Sequence, residues 1–157
     1  MREIKVRAKR RHWKEHEGWD NWVYSNGYYY DKTNYWFLLP KEYSALAYAE
    51  HIIIDIETLG EFTGCKDMNK VEIYESDILK ATSSFVRLET GESTGRICTE
   101  IYKVIYIEER ACFTTQSIKS QYPNGHINKL GISQEQMTKY YEVIGNIFEN
   151  PELWEKE

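Results

Sequence analysis

The sequence predicts a mainly β fold, a small barrel with added β-hairpins and one to three short helices. Three observations predict it. Short runs of β-branched and aromatic residues recur along the chain, punctuated by Gly, Pro, Asn and Asp. Aromatic content is 15%, with thirteen tyrosines, which suits pleated surfaces and binding faces alike. Within 71–79, Val71 and Ile73 alternate with Glu72 and Tyr74, Glu75-Ser76-Asp77 breaks the run, and Ile78-Leu79 begins the next. Strand, acidic corner and strand in succession is the local pattern of small barrels.

Composition bounds the reading further. With 157 residues, 41% hydrophobic and 29% charged, the chain has the make-up of one globular domain with its own core, expected to span 1–157. The net charge of -5 argues against a general nucleic-acid coat. Charge is uneven, however. Residues 1–14 carry seven cations against Glu3, a balance of +6, which leaves -11 for the remainder. Cys65, Cys98 and Cys112 form no CxxC pair, so free thiols in a reducing cytoplasm are expected, with no metal and no cofactor. No apolar run approaches a membrane span, and no apolar segment follows the basic N-terminus as a secretory signal requires.

Taken in order, residues 3–9 alternate, with Ile4, Val6 and Ala8 on one face and Lys5, Arg7 and Lys9 on the other. This reads as a strand with one buried and one basic face. The basic face is either a solvated edge or a phosphate-contacting stripe of Arg7, Lys9, Arg10, Arg11 and Lys14, with Trp13 available to stack. His12 and His16 lie four apart, but no helix and no third ligand accompany them, so solvated loop histidines are expected. Asn26-Gly27 between 22–25 and 28–30 is the strongest short hairpin signal in the chain. Residues 35–39 form a third apolar run, stopped by Pro40. Tyr28, Tyr29, Tyr30, Tyr35 and Trp36 cannot all point inward from strands, so some cover a partner or remain exposed. Residues 41–51 have helical spacing and composition, and 52–56 read as a strand.

The stretch 58–80 is the most densely punctuated. Gly60 and Gly64 bracket a buried Phe62, implying a sharp turn on either side, and residues 67–70 form a hairpin connection. Residues 81–84 read as a loop, 85–89 as a short strand and 90–95 as a turn-rich connection. Residues 96–108 alternate with both faces largely apolar, as in a strand buried twice or curling round a barrel. Residues 108–110 turn the chain and 111–115 pair back; 116–131 is a polar excursion. Ser133 caps a short helix with Gln136 at the capping-box position, and 142–148 is a closing strand. Asn150-Pro151 starts a final helix, whose Leu153 and Trp154 staple the C-terminus to the barrel.

Three blocks in this order resemble the YopX-like family of phage and prophage proteins. The first is Met1-Arg-Glu-Ile-Lys-Val-Arg-Ala8, against a usual M-R-E-I-K-F-R-A. The second is Thr63-Gly-Cys-Lys-Asp-Met-Asn-Lys-Val-Glu-Ile-Tyr-Glu-Ser-Asp-Ile-Leu79, against T-G-x-x-D-x-N-G-x-x-I-Y-E-G-D-I-V. The third is Glu142-Val-Ile-Gly-Asn-Ile-Phe-Glu-Asn-Pro-Glu-Leu153, against E-V-I-G-N-I-Y-E-N-P-E-L. The resemblance implies an SH3-like barrel and supplies no established function. Lys70 and Ser76 stand where the family usually has glycine, so a tight primed turn is less favoured at Asn69-Lys70 and left-handed backbone is less favoured at Ser76.

Asp55, Glu57, Asp67, Glu75 and Asp77 are crowded enough to suggest a divalent-cation site, although turns need the same side chains. No nucleophile elbow, dinucleotide fingerprint or HExxH occurs. The expectation is therefore a non-enzymatic accessory protein of the bacterial host cytoplasm. As an interaction module it would bind a protein partner or itself through Tyr28, Tyr29, Tyr30, Tyr35 and Trp36. The alternative is a nucleic-acid-binding factor using Arg7, Lys9, Arg10, Arg11 and Lys14, and a metal-dependent hydrolase at Asp67, Glu75 and Asp77 is the outsider.

Overall fold

The computed structural model describes residues 4–16, 21–38, 51–86, 90, 93–117 and 131–154. The helix expected over 41–51 lies outside these residues, except that His51 opens a strand. The fold is mainly β, as expected, with antiparallel strands and few short helices. The chain divides into two compact units, Met1–Phe62 and Thr63–Glu157.

The first unit holds β1 (Val6–Arg10), β2 (Val23–Ser25), β3 (Tyr28–Tyr30), β4 (Tyr35–Leu38) and most of β5 (His51–Lys66), in spatial order β2-β1-β5-β4-β3. Val6 and Ala8 from β1 meet Phe37 from β4 and Ile54 from β5 in one buried cluster. Val23, Tyr35, Ile52 and Leu59 pack around it. The Asn26-Gly27 hairpin does not form. β2 pairs with β1 (Ala8 opposite Val23), and β3 pairs with β4 (Tyr29 opposite Trp36). The Ser25 hydroxyl instead takes up the link, donating to Gly27 O at 2.7 Å and accepting from Gly27 N at 3.2 Å.

β2 and β3 thus lie at opposite ends of the strand path, yet only two residues join them. Three Cα–Cα steps span at most about 11 Å, so the sheet curls until its ends come close. No ladder between β2 and β3 seals it, and among the described residues the expected SH3-like barrel is not closed. β5 also bulges: Arg7 faces Gly60 but Lys9 faces Asp55. Thr58 pins the bulge, accepting from Lys9 N at 2.8 Å and donating to Asp55 O at 2.7 Å. Gly60 therefore lies within the strand and not in the expected turn, whereas Gly64 has a φ of 85°. Phe62 is buried, as expected.

The second unit takes the end of β5, paired with β6 (Glu72–Tyr74), and a sheet of order β10-β7-β8-β9. Its strands are β7 (Asp77–Val86), β8 (Ser93–Ile107), β9 (Cys112–Ser117) and β10 (Tyr141–Asn146). Cys65, Ile73, Leu79, Val104, Phe113 and Met137 form its core. β7 runs through 81–84, where a loop was expected, because Ala81 and Thr82 face Glu100 and Thr99 while Ala81 also faces Tyr141. Ladders on both sides override weak local propensity. β8 is not buried on both faces: Val104 is fully buried, but Ile97 is 70% exposed. Ser133 caps the Gln134–Tyr140 helix as expected, accepting from Gln136 N at 3.4 Å, and Met137 is its buried residue. The final helix, Pro151–Trp154, starts at the expected proline. Cys65 is buried, and all three cysteines are free. Among the described residues no helix is long and apolar enough to cross a membrane.

Candidate functional site

Alternation along β1 holds, but its basic face does not reach solvent. Arg7 is 7% exposed and Lys9 fully buried, because two indoles roof that face. The Arg7 guanidinium lies 4.3 Å from the Trp22 ring centre, and the Lys9 ammonium 4.5 Å from Trp22 and 5.1 Å from Trp13. Lys14, itself exposed, covers Trp13 from 5.2 Å. Cation and ring attract through the ring quadrupole, more strongly as water is removed. Arg7 and Lys9 are therefore structural cations in this fold, and the phosphate stripe expected from them is corrected. Arg10, Arg11 and Lys14 remain toward the surface.

The aromatic hairpin separates into two faces. Tyr28, Tyr30 and Tyr35 share one, with Tyr30 and Tyr35 ring centres 4.8 Å apart. Tyr29 and Trp36 share the other, stacked with planes 10° apart and centres separated by 6.5 Å. Tyr28, Tyr29 and Tyr30 are all exposed, while Tyr35 and Trp36 are half-buried. Asp31 fixes the turn between the strands. Its carboxylate accepts from Asn34 N at 2.7 Å, Thr33 N at 2.9 Å and Trp36 Nε1 at 2.8 Å. These donors, the Asn34 amide foremost, hold the carboxyl down at about 2.

These two features, independent in the sequence, meet at one cleft of about 490 Å³ within the first unit. Arg10, Arg11, His12, His16, Trp36, Ile52 and Ile53 line it. Strand register makes the meeting possible. Arg10 pairs with Ile54 on one edge of β5, and Trp36 with Ile53 on the opposite edge. Arg11 N donates to Ile53 O at 3.1 Å, and the chain then turns through His12, whose φ is 60°. Trp13 N returns to Arg10 O at 3.1 Å, and His12 Nδ1 lies 3.1 Å from Glu15 Oε1. The Arg11 guanidinium donates to Asn34 Oδ1, tying this turn to the hairpin that carries Trp36. A cleft lined by cationic, indole and aliphatic residues suits an anion that carries a flat ring.

The acidic residues do not converge in this way. Asp67 is fully buried: Oδ1 accepts from Asn69 N at 2.8 Å and Val71 N at 2.9 Å, and Oδ2 from Val143 N at 2.9 Å. Asp77 Oδ2 accepts from Tyr74 N at 2.8 Å, and Asp55 Oδ1 from Glu57 N at 3.2 Å. The carboxylates of this corner serve as turn acceptors. Among the described residues no three His, Cys, Asp or Glu side chains stand within reach of one metal ion. In the second unit Tyr102 donates to Glu100, and burial followed by that bond pushes its hydroxyl pKa up.

A family model described as YopX protein matches residues 9–155. The chain belongs to the YopX family. Among solved structures it is similar to protein EF1440 from Enterococcus faecalis, at 20% identity and a TM-score of 0.41, covering 97% of this chain and 98% of that one. Comparison with curated proteins finds no match. In this YopX chain the three sequence blocks have distinct structural work. Lys70 and Ser76, which replace the usual glycines, both adopt left-handed backbone, with φ of 66° and 69°. Glycine's absence disfavours that geometry without removing it, since hydrogen bonds on either side enforce it. Lys70 N donates to Asp67 O at 3.0 Å, while Ser76 N donates to Val104 O at 3.0 Å and its carbonyl accepts from Ile147 N at 3.1 Å. Gly145 sits at a register shift opposite Ile78, where a Cβ would collide with Asn150 Oδ1.

Proposed function

We propose that this YopX protein is a non-enzymatic accessory factor that binds nucleic acid through the cleft of its first unit. One observation carries the reading: Arg10, Arg11 and Trp36 line the same cleft. Arginine pairs bidentately with phosphate oxygens, and aromatic faces accept bases without regard to sequence. The negative charge of the whole chain does not oppose this, because affinity depends on the local field at the cleft. The setting proposed with it is that of a phage or prophage protein in the bacterial host cytoplasm, a reading that the family resemblance supports.

The test is fluorescence anisotropy with a labelled oligonucleotide at about 50 mM and 200 mM salt, where counterion release predicts a marked drop in affinity. Arg10→Glu with Arg11→Glu should abolish binding while leaving the fold intact, since Arg11 is exposed and Arg10 only half-buried. A wild-type protein that binds no oligonucleotide at low salt ends the proposal.

A second reading, a protein partner or self-association, draws support from the edge position of β3 and its three exposed tyrosines. Tyrosine is enriched at protein interfaces, and unpaired strand edges accept further strands. Light scattering would show a dimer that Tyr29→Ala weakens; a monomer at all concentrations, capturing no defined partner, removes this reading.

A further inference from the structure

We infer that the cleft takes its nucleic acid as a single strand, with one base lying on the Trp36 ring and the adjoining phosphate held by Arg10 and Arg11. This deepens the nucleic-acid reading above and rests on it.

The Trp36 ring is fixed in place before any ligand arrives. Tyr29 stacks beside it at 10°, and Asp31 Oδ2 holds its Nε1–H at 2.8 Å. Trp36 is still half-exposed and lines the cleft. A fixed ring loses little entropy when a base settles on it.

Charge gives the site a direction. Asp31 places a carboxylate at one edge of the indole, while Arg10 and Arg11 are among the residues that line the cleft, the Arg11 guanidinium donating to Asn34 Oδ1. A phosphate is repelled from the first and drawn to the second, so a nucleotide is oriented with its phosphate away from Asp31. Ile52 and Ile53 offer apolar surface to sugar and base edges.

A duplex cannot use this arrangement. Its bases are stacked on one another and present only edges in the grooves, so Trp36 would contribute nothing without extrusion of a base. A cleft of about 490 Å³ lies within the size range of small-ligand sites and accepts one unstacked nucleotide, not a helix.

The experiment compares three probes on the full chain by anisotropy and competition: an oligo-dT single strand, a duplex of equal length, and heparin as a polyanion without bases. Trp36→Leu, which keeps an apolar side chain on the strand, should weaken oligo-dT binding roughly five- to 150-fold, the value of one stacked base. Duplex and heparin binding should change less than about two-fold in the same variant. Trp36→Phe retains a ring and should keep most of the oligo-dT affinity, so a folding defect in the leucine variant does not decide the outcome. Arg10→Glu with Arg11→Glu should weaken all three probes. If Trp36→Leu and Trp36→Phe weaken oligo-dT equally, or if duplex binds as tightly as oligo-dT, the stacked single strand is wrong although nucleic-acid binding stands. If the wild-type protein binds none of the three probes, the underlying reading fails with it, and a protein occupant becomes the explanation for the exposed aromatics.

Discussion

Replacing Lys70 and Ser76 by glycine should stabilise the second unit. Both residues hold φ near 70°, where an L side chain costs about 1–2 kcal/mol through contact between Cβ and the backbone. Glycine removes that cost but returns about 0.5–1 kcal/mol through the greater freedom of the unfolded chain. The difference is about 0.5–1 kcal/mol per site. Little is lost on the other side of the ledger. Lys70 is exposed, Ser76 is half-buried, and among the described residues neither side chain makes a hydrogen bond or ion pair. The backbone bonds to Asp67, Val104 and Ile147 survive the substitution, and the two sites share no partner, so their effects should add. The double variant should gain about 1–2 kcal/mol, a rise of roughly 2–8 °C in Tm. Urea denaturation followed by tryptophan fluorescence reads this as a higher midpoint at unchanged slope. A midpoint that falls, or that stays where it was in both single variants, refutes the argument, since it would mean that the left-handed backbone is not strained.

Other substitutions probe the remaining features. Gly145→Ala should cost about 1–3 kcal/mol by overpacking against Asn150, and Asn150→Ala in the same chain should recover part of the loss; equal stability of wild type and Gly145→Ala would contradict the close approach. Lys9→Ala removes two cation–π contacts and a buried stem, and should cost about 3 kcal/mol in a urea melt; a change below about 0.5 kcal/mol would show that the ammonium is solvated. Because the Asp31 carboxyl is depressed from 3.8 to about 2, the stability it lends the hairpin is complete above pH 3.8 and lost as pH falls through 2. The Trp36 indole N–H resonance should therefore titrate near pH 2 and lose this response in Asp31→Asn; a midpoint at 3.8 would rule out the turn geometry.

Much of the fold was legible because local rules act alone there. The Ser133 cap, the Pro151 helix start and the Asp67 turn depend on neighbours within a few residues, and each forms where the residues indicate. Alternation correctly assigned the two faces of β1, but it could not show that Trp13 and Trp22 would roof the basic one. Composition around 81–84 favoured a loop, and only the ladders to β8 and β10 make it strand. Asn26-Gly27 misled because a turn signal states that the chain bends, not which strands pair. The basic and aromatic segments were both noted as separate candidates. Their union at one cleft depends on β5 carrying Ile53 and Ile54 between them, a relation between distant segments that no window of sequence contains.

The two-residue link between β2 and β3 has a kinetic consequence. β2 and β3, joined in sequence, are not neighbours in the sheet, and β1, paired with β2 on one side, waits on its other side for a partner some fifty positions away, Val6 meeting Glu61. Such distant pairing must defray its loop-closure entropy before contacts reward it, which slows folding. On the ribosome, the β1–β2 pair and the tyrosine-rich β3–β4 hairpin would emerge before the long fifth strand that joins them. During that interval the nascent chain is at its most adhesive, and a holding chaperone would find it there.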